Sequence, residues 1–173
     1  FFTVILRDIT QRMNDEEALR VSQARLSSVV ETALDAVIMI DAGGVVIGWN
    51  PQAEETFGWK TSEIIGRVLA YTIIPAKYRE AHRLGLARYL ETGEGPVLNR
   101  RIEIEAQHRN GRIFPVELAI VAVPSPDMPP TFSAFVRDIT ERKQHEQAIR
   151  ALNADLERRV EHRTTQLGAA NRE

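Results

Sequence analysis

A near-repeat sets the outer limits of the folded domain in this chain. Residues 2–12 read FTVILRDITQR and residues 132–142 read FSAFVRDITER. In each copy apolar residues alternate with others, which is typical of a β-strand, and a charged stretch with helical spacing follows Asp-Ile-Thr. Thr10 and Thr140 are suited to cap these helices, because a threonine hydroxyl can accept a hydrogen bond from a free amide of the first turn. Each copy therefore predicts the last strand of a domain and the start of its outgoing helix.

The repeat divides the chain into four parts. We expect residues 1–10 to be the last strand of a preceding domain, residues 11–33 a linker helix, residues 34–140 a complete domain and residues 141–173 an outgoing helix. A domain of this length lies in the usual size range. The apolar content of 43% supports a globular core.

Composition argues against several classes of function. The net charge of −2 gives no basic signature of nucleic-acid binding, so no nucleic-acid partner is expected. The chain has no cysteine, which excludes disulfides, thiolate metal sites and cysteine nucleophiles and is compatible with the cytoplasm. No apolar run approaches the roughly 20 residues that span a bilayer, so this segment is not expected to contact a membrane.

Turn and capping residues predict the elements of the first half of the domain. Residues 36–41 and 45–49 flank Ala-Gly-Gly and are predicted to form a hairpin. Asn50 is a good helix cap, proline follows it at the first helical position, and Gly58 suits the left-handed residue after the helix. A second short helix begins in the same way, with Thr61 as its expected cap.

The second half of the domain is predicted to be a long helix followed by three strands. The helix covers residues 75–91, and Asn110-Gly111 joins two strands with alternating apolar residues. Glu103 and Glu105 share one face of the first of these strands and read as ordinary solvent-side residues. The order β-β-α-α-α-β-β-β predicts an α+β fold, with an antiparallel sheet and helices collected on one face.

Several short sequences in this order resemble the PAS sensor family. They are GWNPQAEETFGWKTSEIIGR at 48–67, RNG at 109–111, FPVE at 114–117 and DIT at 138–140. The resemblance spans roughly residues 25–142. It implies a five-stranded antiparallel sheet with helices on one face, flanked by N- and C-terminal helices. It also implies that residues 1–10 end an upstream PAS domain in a tandem array.

PAS domains bind small ligands between their helices and the inner face of the sheet. The resemblance points to His82, Tyr89, Ile102, Leu118 and Ile120 as the residues of such a pocket. The segment around His82 resembles the haem helix of oxygen-sensing kinases of nitrogen-fixing bacteria, in which a histidine is the proximal iron ligand. The alternative is that these residues form a dry core, since apolar alternation alone requires no ligand.

Two departures argue against haem. Gly85 stands where the haem proteins have an aromatic residue, and Ile102 stands where they have the distal arginine. We therefore expect His82 to lie at the surface or to hydrogen-bond locally, and the identity of any cofactor stays open.

The C-terminal sequence LNADLERRVEHRTTQLGAANRE resembles the signalling helix that precedes the phosphoacceptor helix of many bacterial histidine kinases. One face of this helix carries an apolar stripe, formed by Ile149, Leu152, Leu156, Val160 and Leu167. A parallel coiled coil requires such a stripe, so we predict a parallel homodimer through residues 11–33 and 141–167. The alternative is a solvated charged helix.

These observations together favour a sensory or regulatory PAS module that dimerises and relays a ligand or partner signal through its flanking helices to a downstream histidine kinase. Asp138 and Thr140 are the expected relay residues, because they join the last strand to the outgoing helix. The segment is not expected to be an enzyme, because it has no Gly-rich phosphate loop, GxSxG or HExxH motif. The alternatives are a ligand-free dimerisation or spacer domain, a haem-based gas sensor through His82, or a module of a cyclic-dinucleotide enzyme.

Overall fold

The computed structural model describes residues 10–125 and 128–170. The helices are α1 (Thr10–Glu31), α2 (Pro51–Phe57), α3 (Thr61–Ile64), α4 (Ala76–Thr92) and α5 (Thr140–Ala170), with a 3-10 turn at Leu69–Tyr71. The strands are β1 (Ala36–Ile40), β2 (Val46–Trp49), β3 (Arg101–Gln107), β4 (Ile113–Val123) and β5 (Thr131–Asp138). This order confirms the predicted fold. The strand predicted for residues 1–10 falls outside the described residues, apart from Thr10, where α1 begins. In the part of the chain that the structure describes, no helix is long and apolar enough to cross a membrane.

The five strands form one antiparallel sheet in the order β2-β1-β5-β4-β3. The last strand therefore lies in the middle, between the first hairpin and the β3–β4 hairpin. Side chains alternate between two faces of such a sheet, and the inner face packs against α2, α3 and the 3-10 turn. Phe57 and Ile64, from α2 and α3, are completely buried in this core.

Asn50 holds the junction between β2, α2 and the end of α1. Its side-chain oxygen accepts hydrogen bonds from the amides of Ala53 (2.9 Å) and Val37 (2.8 Å). Its amide nitrogen donates to the carbonyls of Val30 and Asp35, each at 3.1 Å. The predicted cap is therefore confirmed, and it also ties the first strand to the incoming helix.

The predictions that Thr61 and Thr140 cap their helices are wrong, and for the same reason. Thr61 and Thr140 are each the first residue of their helix, and each donates both its amide and its hydroxyl to a carboxylate on an earlier element. Glu54 Oε1 accepts from Thr61 at 2.6 and 2.7 Å, and Asp138 Oδ1 accepts from Thr140 at 2.8 and 2.5 Å. These bonds, with Lys60, lower the pKa of Glu54 to about 2. The acceptor at each helix start is thus an acid that precedes the helix.

Asn50→Ala should lower the free energy of unfolding by about 3 kcal/mol, because it removes a helix cap and leaves buried amide and carbonyl groups unpaired. Urea denaturation of the 173-residue chain measures this change. Glu55→Ala is the matched control, since Glu55 is exposed on the same helix and surface changes usually stay within about 0.5 kcal/mol. Equal stability of the two variants would contradict the role given to Asn50.

Candidate cavity and its link to the outgoing helix

A cavity of about 390 Å³, partly open to solvent, lies between α4 and the inner face of the sheet. All five residues predicted for the pocket line it, namely His82, Tyr89, Ile102, Leu118 and Ile120. The helix above the cavity, α4, does not pack closely on the sheet. None of its 17 residues is fully buried, whereas α2 and α3 each bury residues in the core. The dry core considered as the alternative would require α4 to pack closely on these strands.

Two backbone hydrogen bonds join the sheet to the segments on either side of α4. The Gln107 amide donates to the Ile73 carbonyl at 2.8 Å, which ties the end of β3 to the residues between the 3-10 turn and α4. The Asn99 amide donates to the Ile120 carbonyl at 2.9 Å, which fastens the loop after α4 to β4. The helix above the cavity is therefore connected to the sheet before its first turn and after its last turn.

His82 is half-buried and lines the cavity. This corrects the expectation that it would lie at the surface or hydrogen-bond locally, because none of the described residues hydrogen-bonds to its side chain. Burial lowers the pKa of His82 below its ordinary value of 6.5, which favours the neutral imidazole near pH 7. Tyr89, two turns further along α4, meets the ring of Phe132 edge to face with centroids 5.1 Å apart.

The lining does not fit haem, although it offers the imidazole that an iron would require. No lysine or arginine from the described residues lines the cavity to pair with a propionate, and Ile102 offers no hydrogen bond to an iron-bound ligand. A side chain on Gly85 would meet nothing within 4 Å, so the place of the expected aromatic wall is open space. We therefore derive no function through haem.

Glu103 holds the outgoing helix on the opposite face of the sheet. Glu103 Oε1 accepts a hydrogen bond from Arg142 Nη2 at 2.7 Å, and Lys143 forms an ion pair with the other oxygen. Hydrogen bonding to Lys143 is the main cause of the lowered pKa of Glu103. Glu117, directly across from Glu103 on β4, lies 3.8 Å from Arg142 Nη1 and 3.1 Å from Arg101.

Glu105 holds the helix above the cavity, because its carboxylate forms an ion pair with Lys77 in the first turn of α4. The prediction that Glu103 and Glu105 both face solvent agrees with the exposed position of Glu103 and is wrong for Glu105, which lines the cavity. For Glu103, a sequence signal was the basic pair Arg142-Lys143 in the first turn of the outgoing helix. That signal becomes specific only when the register of β3, β4 and β5 is known.

The incoming helix is tied to the same end of β5. Arg137 Nε and Nη2 donate to the two carboxylate oxygens of Asp35, at 2.7 and 3.1 Å. Asp35 lies between α1 and β1, and Arg137 precedes Asp138, one of the two predicted relay residues. Both flanking helices therefore attach to the sheet within a few residues of the end of β5.

Comparisons with known proteins agree with this architecture. The family model described as "PAS fold" matches residues 24–139. The PAS domain of a Colwellia psychrerythraea protein superposes with a TM-score of 0.59 at 20% identity, over 69% of this chain and 98% of that one. The PAS domain of an HTR-like protein from Haloarcula marismortui gives 0.56 at 22% identity, over 73% and 99%. The chain therefore belongs to the PAS family, and these structures show its fold.

The similar proteins of known sequence include sensor histidine kinases. An uncharacterised protein of Azorhizobium caulinodans is 39% identical over 76% of this chain and 18% of its own length. Sensor protein FixL of Bradyrhizobium diazoefficiens is 32% identical, over 88% of this chain and 30% of its own length. The cell-division control histidine kinase PdhS of Brucella abortus is 28% identical, over 92% and 15%. This PAS domain is thus related to the sensor regions of histidine kinases, and it spans less than a third of each of these relatives.

The buried position of His82 predicts a pH effect on stability. The unfolded chain takes up a proton on this histidine near pH 6.5, before the folded chain does, so this contribution to the free energy of unfolding falls as the pH drops through that value. We expect wild-type protein to lose more stability than His82→Leu between pH 7.5 and pH 5.5, measured by urea denaturation. Equal losses in the two proteins would contradict a desolvated His82.

Proposed function

We propose that this PAS domain is a sensory module that converts occupancy of its cavity into a change in the position of α5, and so relays a signal to a downstream histidine kinase. The observation that carries the proposal is the pairing of β3 with β4. Ile102 and Leu118 are opposite each other and line the cavity, and the next pair, Glu103 and Glu117, faces α5. One pair of strands thus contacts the cavity with one face and the outgoing helix with the other.

A ligand in the cavity would act on α5 through these strands. Protein interiors are close-packed, so a side chain displaced by a ligand moves the backbone that carries it. A shift of Ile102 would move Glu103, the next residue, and with it the ion pairs to Arg142 and Lys143. Asp138 provides a second connection, because its carboxylate holds the first residue of α5.

The outgoing helix is long enough to carry such a movement beyond the domain. It has 31 residues, which at 1.5 Å per residue is about 46 Å. Three apolar side chains of its predicted stripe, Ile149, Leu152 and Leu156, are between 49% and 60% exposed. The side chain of Leu167 lies outside the described part of the chain. A second copy of α5 would cover this stripe, so we propose a parallel homodimer in which the two outgoing helices form a coiled coil.

The relatives support a histidine kinase as the output. FixL and PdhS are named as a sensor protein and a histidine kinase, and each is much longer than this chain. Kinase output requires ATP, so this role would place the domain in the cytoplasm. The relay needs no catalytic group in the segment itself.

In a full-length kinase that contains this domain, Glu103→Gln and Asp138→Ala should each change basal autophosphorylation or its response to signal, because each releases the first turn of α5 from the sheet. Radiolabelled ATP measures the rate in the purified full-length protein. Glu80→Gln is the matched control, since Glu80 is an exposed carboxylate paired with Arg83 on α4, without contact to α5. A kinase whose output is the same in all three variants would contradict the relay.

If the apolar stripe of α5 forms the dimer interface, a charge introduced into the stripe should weaken the dimer. Sedimentation should report a dimer of the wild-type chain at micromolar concentration, and Leu152→Glu should shift it towards monomer, because a carboxylate would then be buried between two apolar helix faces. Gln147→Glu adds the same charge on the opposite face of α5 and should leave the dimer intact. A wild-type chain that stays monomeric, or a dimer unaffected by Leu152→Glu, would contradict this arrangement.

A further inference from the structure

We propose that the cavity takes an uncharged, mainly apolar molecule of two or three rings, held at one end by a hydrogen bond to the imidazole of His82. The inference rests on the proposed function, since it names the class of ligand that the same cavity would sense. Three features of the cavity point to this class of ligand: its size, the charge of its lining and the imidazole of His82 on α4.

The size of the cavity matches a small multi-ring molecule. An engineered cavity of about 150 Å³ is known to hold one benzene, and the cavity here is about 390 Å³. Aromatic side chains contribute to its walls, namely Phe57, Tyr89 and Phe132. Aromatic rings pack well against such walls in edge-to-face or offset geometry.

The charge of the lining disfavours an ionised ligand. Glu105 is the single charged side chain lining the cavity within the described residues, and Lys77 already forms an ion pair with it. An anion would leave water without gaining a cationic partner, and a cation would meet a carboxylate that is already neutralised. Burial of an unpaired charge is strongly unfavourable, so an uncharged molecule fits best.

His82 supplies a polar contact that the ligand could use, besides the phenol groups of Tyr78 and Tyr89 in the same lining. Its imidazole lines the cavity without a hydrogen-bond partner among the described residues, and burial lowers its pKa, so the neutral ring offers one donor and one acceptor. Partly buried polar groups usually have a partner. Gly85, one turn further along the same face of α4, leaves open space beside it, so a ring can approach the helix backbone there.

Two fluorescent probes with the same ring skeleton test the class of ligand. N-phenyl-1-naphthylamine is uncharged and carries an N–H donor, and 1-anilinonaphthalene-8-sulfonate is the same skeleton with a sulfonate. We expect the uncharged probe to bind the 173-residue chain at one site per chain and at least about tenfold more tightly than the sulfonate. Leu118→Trp should abolish this binding by filling the cavity.

Variants of α4 test the polar contact. His82→Leu should weaken binding of the uncharged probe about five- to tenfold, as loss of one hydrogen bond does, and His82→Gln should recover part of that loss. Leu84→Ala is the control, because Leu84 is 53% exposed on the same helix and does not line the cavity. Unchanged binding in His82→Leu would overturn the role of His82.

The remaining outcomes separate this inference from the proposed function. Binding of the sulfonate with equal or higher affinity, lost in Leu118→Trp, would overturn the uncharged class and leave a ligand-binding sensory domain in place. Binding of neither probe would overturn the ligand class and count against sensing through this cavity. A Soret band after expression with added haem, lost in His82→Ala, would replace this ligand class with haem.

Discussion

The register between β3 and β4 determines both the cavity and its connection to the outgoing helix. Ile102 lies opposite Leu118, and Glu103 lies opposite Glu117. Because successive residues of a strand face opposite sides of a sheet, a slip of one residue in β3 would turn Glu103 towards the apolar cavity and the isoleucines of β3 towards α5. Carboxylates could not be buried there without partners, so the apolar inner face stabilises the register on which the ion pairs depend.

The edge strand β3 is joined by ion pairs both to α4, which covers the cavity, and to α5, which leaves the domain. Glu105 forms an ion pair with Lys77 on α4, above the cavity, and Glu103 forms ion pairs with Arg142 and Lys143 on α5. These side chains are partly exposed, and exposed ion pairs contribute little to stability. Their significance in this fold is geometric, because they join one strand to the helix that covers the cavity and to the helix that leaves the domain.

Two helices of this domain, α3 and α5, begin at a residue that donates hydrogen bonds to an acid on the preceding element. Glu54 binds the amide and hydroxyl of Thr61, and Asp138 binds those of Thr140. A carboxylate near the start of a helix is also stabilised by the helix dipole. The consequence at Thr140 is that the position of α5 depends on a side chain of the last strand, which couples the helix to the sheet more directly than a self-contained cap would.

The sequence by itself determined the class of fold and the order of the elements, and its resemblance to the PAS family indicated five residues of the cavity. The local signals are the alternation in β3 and β4, the Asn50 cap and the Asn110-Gly111 turn. Local preferences of this kind predict the folded structure when they are consistent with one another. Only the tertiary structure decided the surroundings of His82 and the partners of Glu103 and Glu105. These depend on how far α4 stands from the sheet and on which residues of β3, β4 and α5 become neighbours. Such distances are set by packing between segments far apart in the chain, for which no local pattern carries a signal.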